Sequence, residues 1–173
     1  IEESALTLRL KVNAQGQVCE SEMVVVRQSD SGIKFENCRY WDKPILNTNV
    51  EAPVERAEMI HLSNGYFDTL QLNDGTIHTQ FHPDCNRVEN GVQTTRNPEF
   101  TKIVPVSALG CEEQFRMGNY RYDDRLRARR FPMVDEERGL VLADPRHRRG
   151  PPRLRVLLVV AERRRGARRT RAF

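Results

Sequence analysis

The densest group of residues able to do chemistry lies between positions 82 and 90. It combines a histidine, two carboxylates, an arginine and an amide: His82, Asp84, Arg87, Glu89 and Asn90. In a pocket, His82 or Asp84 could act as a general base, because burial raises the pKa of a carboxyl group toward the working pH. Alternation along an extended chain would place His82 and Asp84 on one face. The alternative is that Arg87 and Glu89 form a structural ion pair and that His82 lies at a rim.

Other polar side chains could orient a ligand beside this group. Arg87 and Asn90 could hold a carboxylate or a carbonyl, since a guanidinium group donates paired hydrogen bonds. Tyr66 and Tyr120 could donate hydrogen bonds from a pocket wall, although tyrosines at helix or strand spacing more often pack in a core. The sequence therefore predicts His82 and Asp84 as catalytic residues, and as substrate-binding residues Arg87, Glu89, Asn90, Tyr66 and Tyr120.

The cysteines and histidines do not have the spacing of a metal site. Successive cysteines lie 19, 47 and 26 positions apart, at Cys19, Cys38, Cys85 and Cys111, and no CxxC pair occurs. His78 and His82 are four residues apart, but their segment has the pattern of a strand rather than a helix. The body of the chain also has no Walker loop, GxGxxG or GxSxG motif. We therefore expect neither a metal nor a cofactor.

The elements at the N-terminus form a predicted β-hairpin over residues 1–27. One face of residues 5–12 carries Leu6, Leu8, Leu10 and Val12, a period of two that is typical of a half-buried strand. Residues 13–16 have the composition of a turn, and residues 17–27 of a returning strand. Residues 28–53 are polar, lack a sustained period and are predicted to be a linker.

The rest of the chain mixes helices and strands. A helix is predicted from Pro53, since Met59, Leu62, Tyr66 and Leu70 recur at helical spacing, with a stop at residues 73–75. Residues 76–81 are predicted to be a strand, and residues 107–117 a short helix capped by Ser107. A long strand over residues 120–134 changes its apolar phase, which predicts a bulge. A returning strand begins at residue 140 and is cut short after Ala143, where the composition changes.

Four segments carry a resemblance to a known family. They are NGYFD at 64–68, FHPDCNRVENGVQTT at 81–95, LGCEEQF at 109–115 and RFPMVDEERGLVL at 130–142. Over residues 54–143 the chain resembles an uncharacterised bacterial and fungal family of the nuclear transport factor 2-like superfamily, similar to the SnoaL-like polyketide cyclases. The resemblance implies an α+β fold with a cone-shaped, curved antiparallel sheet packed on helices around an apolar pocket. It also implies that the fold is incomplete at both ends and that the hairpin closes a preceding similar unit.

The resemblance also implies a function. It suggests cofactor-free acid–base isomerisation, cyclisation or hydration of a small apolar oxygenated compound, with Asp84 or His82 as the base. The alternative is a non-catalytic ligand-binding or dimerisation module, since one fold hosts many functions. Cys85 and Cys111 both fall within the similar segments; they could form a disulfide in an exported protein or stay as buried thiols in a cytosolic one.

The C-terminal 30 residues differ in composition from the body. Residues 144–173 contain 11 arginines and no lysine against Asp144 and Glu162, a net charge of +9, whereas residues 1–143 carry −5. The abrupt change favours a shifted reading frame or a disordered tail; a nucleic-acid-binding arm is expected only if the tail is genuine. No apolar run is long enough for a transmembrane helix, and no leader is visible. The compartment is therefore cytoplasmic by default, or exported if a leader is missing.

Overall fold

The structure is a computed structural model that describes residues 4–27, 53–89, 92–119, 126–147, 157–162 and 171–172. These residues form antiparallel strands and helices, so the predicted α+β class is confirmed at this level. The chain divides into two compact units. The first contains the N-terminal hairpin together with residues 88–92, and the second contains the other described residues.

The hairpin of the first unit has the predicted strands and turn. Strand β1 (Ser4–Val12) pairs antiparallel with β2 (Val18–Arg27). The Asn13 carboxamide oxygen accepts the backbone N–H groups of Gln15 and Gln17 at 3.0 and 2.9 Å, and Gly16 takes a φ of 78°. An asparagine that bonds its own turn and a glycine in the left-handed region are the usual means of closing such a loop. The hairpin prediction is therefore confirmed.

The two faces of the hairpin differ in chemistry. On one face Arg9 forms ion pairs with Glu20 and with Glu22, the latter at 2.8 Å. On the other face six apolar side chains are 48–59% exposed: Leu6, Leu8, Leu10, Val12, Val18 and Met23. The leucine face expected to be buried is thus only partly covered in the structure described.

Helix α1 (Arg56–Leu72) is the longest helix among the described residues. It begins three residues after Pro53, the predicted start. It ends where predicted, because Asn73 adopts the left-handed conformation (φ 48°) and donates its N–H to the Thr69 carbonyl. The side chains buried along the helix include those that set its predicted period: Met59, Leu62, Tyr66, Phe67 and Leu70.

The main sheet of the second unit is antiparallel, with its strands in chain order. Its members are β5 (Leu126–Asp135), β6 (Leu140–His147), β7 (Leu157–Glu162) and β8 (Arg171–Ala172). The register of β5 against β6 shifts twice between Arg127 and Met133, and Ala128 has a φ of 50°. The predicted bulge is therefore confirmed. The prediction that the returning strand stops after Ala143 is wrong, because β6 continues through Asp144, which forms an ion pair with Arg130 on β5.

Helix α1 packs against β5 and β6, and we call these three elements the helix–sheet layer. Buried apolar side chains of the two strands, at Leu126, Val141 and Ala143, join those of α1 in one core. Arg129 ties the layer from its edge by donating hydrogen bonds to the Asp68 carboxylate at 2.8 Å and to the Asn64 carbonyl at 3.1 Å. Its guanidinium carbon also lies 5.4 Å from the Phe67 ring centroid.

Residues 76–81, predicted as a strand, contribute only an isolated bridge at Phe81. Their polar groups bond to helix α1 instead of to a neighbouring strand. The His78 N–H donates to the Thr69 hydroxyl at 2.8 Å, and the Thr79 hydroxyl donates to the Leu62 carbonyl at 3.2 Å. Gly65 permits this close approach, since a Cβ there would lie 2.3 Å from the His78 carbonyl oxygen.

The remaining elements are short. They are β3 (Val88–Glu89), β4 (Val92–Gln93), α2 (Pro98–Thr101), a 3-10 turn (Pro105–Ala108) and α3 (Cys111–Arg116). The short helix predicted over residues 107–117 is present over Cys111–Arg116, but its predicted start and cap at Ser107 are wrong, because Ser107 lies in the separate 3-10 turn. Ser107 is buried and its hydroxyl donates to the Val104 carbonyl, while Gly110 is the residue that precedes α3.

Candidate functional site

The predicted base His82 lies at the start of a tight turn and is buried. The Cys85 N–H donates to the His82 carbonyl at 2.9 Å, which closes the turn over residues 82–85. Within it, the Asp84 N–H donates to Nδ1 of the His82 ring at 3.1 Å. A ring nitrogen that accepts a hydrogen bond carries no proton of its own. Nδ1 of His82 is therefore committed to holding the turn.

The side chains of Asp84 and His82 are close together but differ in their exposure to solvent. Its side chain is 82% exposed, whereas that of His82 is 5% exposed. The Asp84 carboxylate oxygen Oδ2 lies 3.6 Å from His82 Nδ1. The prediction that both side chains share one face of a strand is wrong, because the segment is a turn and a turn does not alternate its side chains with a period of two.

Arg87, predicted to bind substrate, is bonded within the protein. Its Nε donates to the Thr94 hydroxyl at 3.1 Å, and its Nη2 donates to the carboxamide oxygen of Gln114. Its backbone N–H donates to the Thr95 hydroxyl at 2.9 Å. The guanidinium carbon lies 5.5 Å from the Phe115 ring centroid, within the range of a cation–π contact. Arg87 thus joins Thr94 and Thr95 to α3.

Gln114 is the centre of this hydrogen-bonded network and was not predicted. It is fully buried, and its Nε2 donates toward three backbone carbonyls, those of Thr94 at 2.7 Å, Val106 at 3.0 Å and Leu109 at 3.3 Å. A buried amide whose donors and acceptor are used fixes a loop conformation strongly, since an unmade hydrogen bond there is costly. The sequence offers no signal for this role, because the partners are backbone atoms of distant residues.

The other predicted binding residues belong to different elements of the chain. Tyr66 lies in an aromatic cluster, with its ring centroid 5.3 Å from that of Phe115 and 6.3 Å from that of Phe81. Glu89 is exposed on β3. Asn90 and Tyr120 lie outside the described residues. Tyr66 and Arg87 both contact Phe115.

A disulfide joins Cys85 to Cys111. Cys85 lies in the segment at 81–95 and Cys111 in the segment at 109–115, both of which resemble the known family. The two Cα atoms are 5.9 Å apart, and both residues are buried. The bond links the turn over residues 82–85 to the start of α3. We call residues 81–87 and 93–118, which belong to the second unit, the loop segment. Of the remaining cysteines, Cys19 is exposed with a free thiol, and Cys38 lies outside the described residues.

Arg96 reinforces the same connection. Its guanidinium group donates to the carbonyls of Cys85, at 2.9 Å, and of Pro83. Gly110 leaves room for it, since a Cβ at that position would lie 2.4 Å from Arg96 Nη2. The backbone of Arg96 has a φ of 42°, a region that non-glycine residues seldom adopt. Sequence reasoning missed this residue for the same reason as Gln114.

The described residues contain neither a cluster of metal-ligating side chains nor a membrane-spanning helix. Within the described ranges, no group of three or more His, Cys, Asp or Glu residues is placed to hold a metal ion. Over the same ranges, no helix combines the length and the apolar character needed to cross a bilayer. The side chains of the tail arginines lie outside the described residues, so the nucleic-acid prediction stays a prediction.

Comparison with known proteins finds one similarity. A family model whose description is "Domain of unknown function (DUF8021)" matches residues 52–152, more than half of the chain. The match includes α1, the loop segment, β5 and β6, and it continues nine residues beyond the predicted domain end at 143. No curated protein and no solved structure matches the chain.

Proposed function

We propose that this chain, which belongs to the DUF8021 family, is a binding domain for a small apolar oxygenated compound and that His82 and Asp84 are not a catalytic pair. The fold that we propose for it is the cone of the nuclear transport factor 2-like superfamily. Two observations are compatible with that fold: the antiparallel sheet with a bulged outer strand, and the helix that packs on the sheet.

One observation carries the choice of binding over catalysis. The Asp84 backbone N–H occupies Nδ1 of the buried His82, while the Asp84 carboxylate is exposed to water. In a catalytic dyad of the Ser-His-Asp type, the carboxylate is buried beside the ring, where it orients the ring and stabilises its charge. Here the carboxylate is solvated, and solvent screens its attraction for the ring.

The other side chains suited to polarising a substrate have structural partners. Arg87 bonds Thr94 and Gln114, and Tyr66 packs edge-on against three phenylalanine rings of the core. Using either group in a reaction would first require breaking contacts that hold the loop segment together. These contacts support a role in stability for Arg87 and Tyr66, which the sequence predicted to bind substrate.

A second candidate, acid–base catalysis by the same pair, is favoured by one distance. Asp84 Oδ2 lies 3.6 Å from His82 Nδ1, within the range of an ion pair if the ring takes up a proton. Protonation at Nδ1 would replace the backbone hydrogen bond with a charge-assisted bond to the carboxylate. This candidate therefore requires the turn over residues 82–85 to rearrange during the reaction.

The two candidates are separated by screening cyclic ketones and lactones and following each compound over time. We expect a compound that raises the melting temperature, remains chemically intact, and binds with the same affinity to wild type and to Asp84→Asn. Glu99→Gln is the matched control, because the Glu99 side chain is also 82% exposed. Consumption of the compound by wild type and Glu99→Gln but not by Asp84→Asn would assign catalysis to the pair. Absence of any thermal shift would count against a ligand of this class.

A further inference from the structure

We infer that the apolar face of the β1–β2 hairpin is the surface on which a second copy of this chain docks. This face consists of Leu6, Leu8, Leu10, Val12, Val18 and Met23. The inference does not depend on the ligand proposed above. It rests on the composition, the exposure and the extent of this one surface.

The register of the hairpin brings these side chains onto one face. Leu6 pairs with Val25, Leu8 with Met23, Leu10 with Ser21, and Val12 with Val18 across a bulge. Because side chains alternate along a strand, the members of each pair project to the same side. The result is a ribbon two side chains wide and four pairs long. Six of its side chains are 48–59% exposed: Leu6, Leu8, Leu10, Val12, Val18 and Met23.

The four apolar pairs at the centre of this face carry no charge, which suits contact with an identical face; Arg27, opposite Ser4, lies beyond them at one end. The charged residues between these positions belong to the opposite face, where Arg9 and Lys11 pair with Glu20 and Glu22. Charged residues are depleted from the centres of protein interfaces, and like charges that meet across an interface cost several kcal/mol. At the centre of the face, a copy of this chain brings an uncharged surface to an uncharged surface, so no repulsion arises between the four pairs.

The extent of the face is sufficient for a small stable dimer. Six half-exposed aliphatic side chains amount to about 600 Å² of apolar surface, at the upper end of the patches that ordinary monomers expose. Burying this face on two copies removes about 1,200 Å² from water, the lower limit for specific interfaces. A twofold arrangement lets each copy use the same residues, and the two ribbons would stack as facing sheets do, about 10 Å apart.

The hairpin itself also needs such a cover. A two-stranded hairpin alone is marginally stable in water, and its exposed aliphatic face gains nothing until a second layer covers it. In a dimer each hairpin supplies that layer for the other. The stability of the hairpin and the association of the two chains are therefore expected to depend on one another.

The test is the oligomeric state of the full chain, measured by analytical ultracentrifugation from micromolar to millimolar concentration. We expect a monomer–dimer equilibrium in wild type, and a dissociation constant raised by about a hundredfold or more in Leu8→Asp, which buries a charge in the interface. Thr7→Asp is the matched control, because it places the same charge on the neighbouring residue of the opposite face. This control is expected to dimerise like wild type.

A second variant covers the case in which Leu8→Asp does not fold, as judged by circular dichroism. Met23→Thr, at the cross-strand partner of Leu8, keeps a side chain that favours strands and is expected to weaken the dimer by about tenfold. A wild type that is monomeric throughout would overturn the inference. A dimer that is weakened equally by Leu8→Asp and by Thr7→Asp would also overturn it. A monomer whose hairpin face binds an amphipathic helical peptide would overturn it as well.

Discussion

Two regions of the second unit are stabilised in different ways. The helix–sheet layer consists of long regular elements, and its interior is formed by aliphatic and aromatic side chains such as Met59, Phe67 and Val141. In the loop segment the longest helix has six residues, and fully buried positions include the polar residues Thr95, Ser107 and Gln114. A disulfide and a network of side-chain to backbone hydrogen bonds there add to the apolar contacts that Phe81 and Phe115 make with the core.

The difference explains why the polar residues of the loop segment resemble an active site in the sequence. Short irregular elements leave many backbone groups without partners in secondary structure, and these groups must be satisfied by side chains. His82, Arg96 and Gln114 each bond to groups of this kind. A cluster of histidine, arginine and carboxylate residues can therefore arise from the needs of a buried loop alone.

The largest expected effect comes from removing an aromatic side chain from the helix–sheet layer. Phe67→Ala deletes a ring that is 2% exposed and in contact with Tyr66 and Arg129, so the free energy of unfolding should fall by about 3–5 kcal/mol. Urea unfolding followed by circular dichroism measures it. Ile103→Ala, at an apolar residue of the loop segment that is 77% exposed, should change stability by less than about 0.5 kcal/mol. Equal losses in the two variants would contradict the comparison.

A somewhat smaller effect is expected from removing the covalent link of the loop segment. Replacing both Cys85 and Cys111 by alanine opens a loop of 26 residues and should cost about 3–4 kcal/mol. Hydrogen exchange should show faster exchange in the loop segment than in helix α1. The control is Cys19→Ser, at the exposed free thiol. Equal loss of protection in both regions would show that they unfold as one cooperative unit.

The smallest effect concerns a charged turn in the helix–sheet layer. A hydrogen bond from the Arg138 side chain to Asp135 holds the pKa of that carboxyl below its ordinary value of 3.8. A lowered pKa in the folded state adds stability above the unfolded pKa, and this stability is lost as the pH falls through the folded pKa. Asp135→Asn should thus be slightly less stable than wild type at neutral pH.

Thermal unfolding of wild type and Asp135→Asn between neutral and acidic pH checks this expectation. The difference between their melting temperatures should shrink below about pH 3.8 as the wild-type carboxyl takes up its proton. Glu137→Gln, in the same turn, should not reproduce that dependence on pH. If the difference in melting temperature persists unchanged at acidic pH, the lower stability of Asp135→Asn would come from a changed shape of the turn rather than from loss of the ion pair.

Elements with a sustained apolar period were predictable from the sequence, and elements defined by side-chain hydrogen bonds were not. The hairpin, helix α1 and the bulge in β5 follow from local patterns of apolar residues. The strand predicted over residues 76–81 failed because its donors bond to Thr69 and Leu62 of α1, which no local pattern reveals. The predicted start at Ser107 of the helix over residues 107–117 failed because Ser107 bonds back to Val104.

The candidate site was predictable in its residue types but not in its arrangement. Four consecutive residues that form a turn place His82 inside and Asp84 outside, whereas a strand would have put them together. Cys85 and Cys111 were named as a pair only through the segments that resemble a known family. The bonds of Arg96 and Gln114 join residues that are distant in the sequence, so their importance becomes visible only in three dimensions.

The bulge in β5 has a consequence for how the protein behaves at high concentration. β5 is the outer strand of the described sheet, and an outer strand is where another molecule can add a strand and begin a fibril. Three features interrupt that edge: the left-handed backbone of Ala128, two shifts of register, and Pro132, which has no N–H to donate. The irregular strand thus protects the sheet from aggregation through this edge, at the expense of regular pairing with β6.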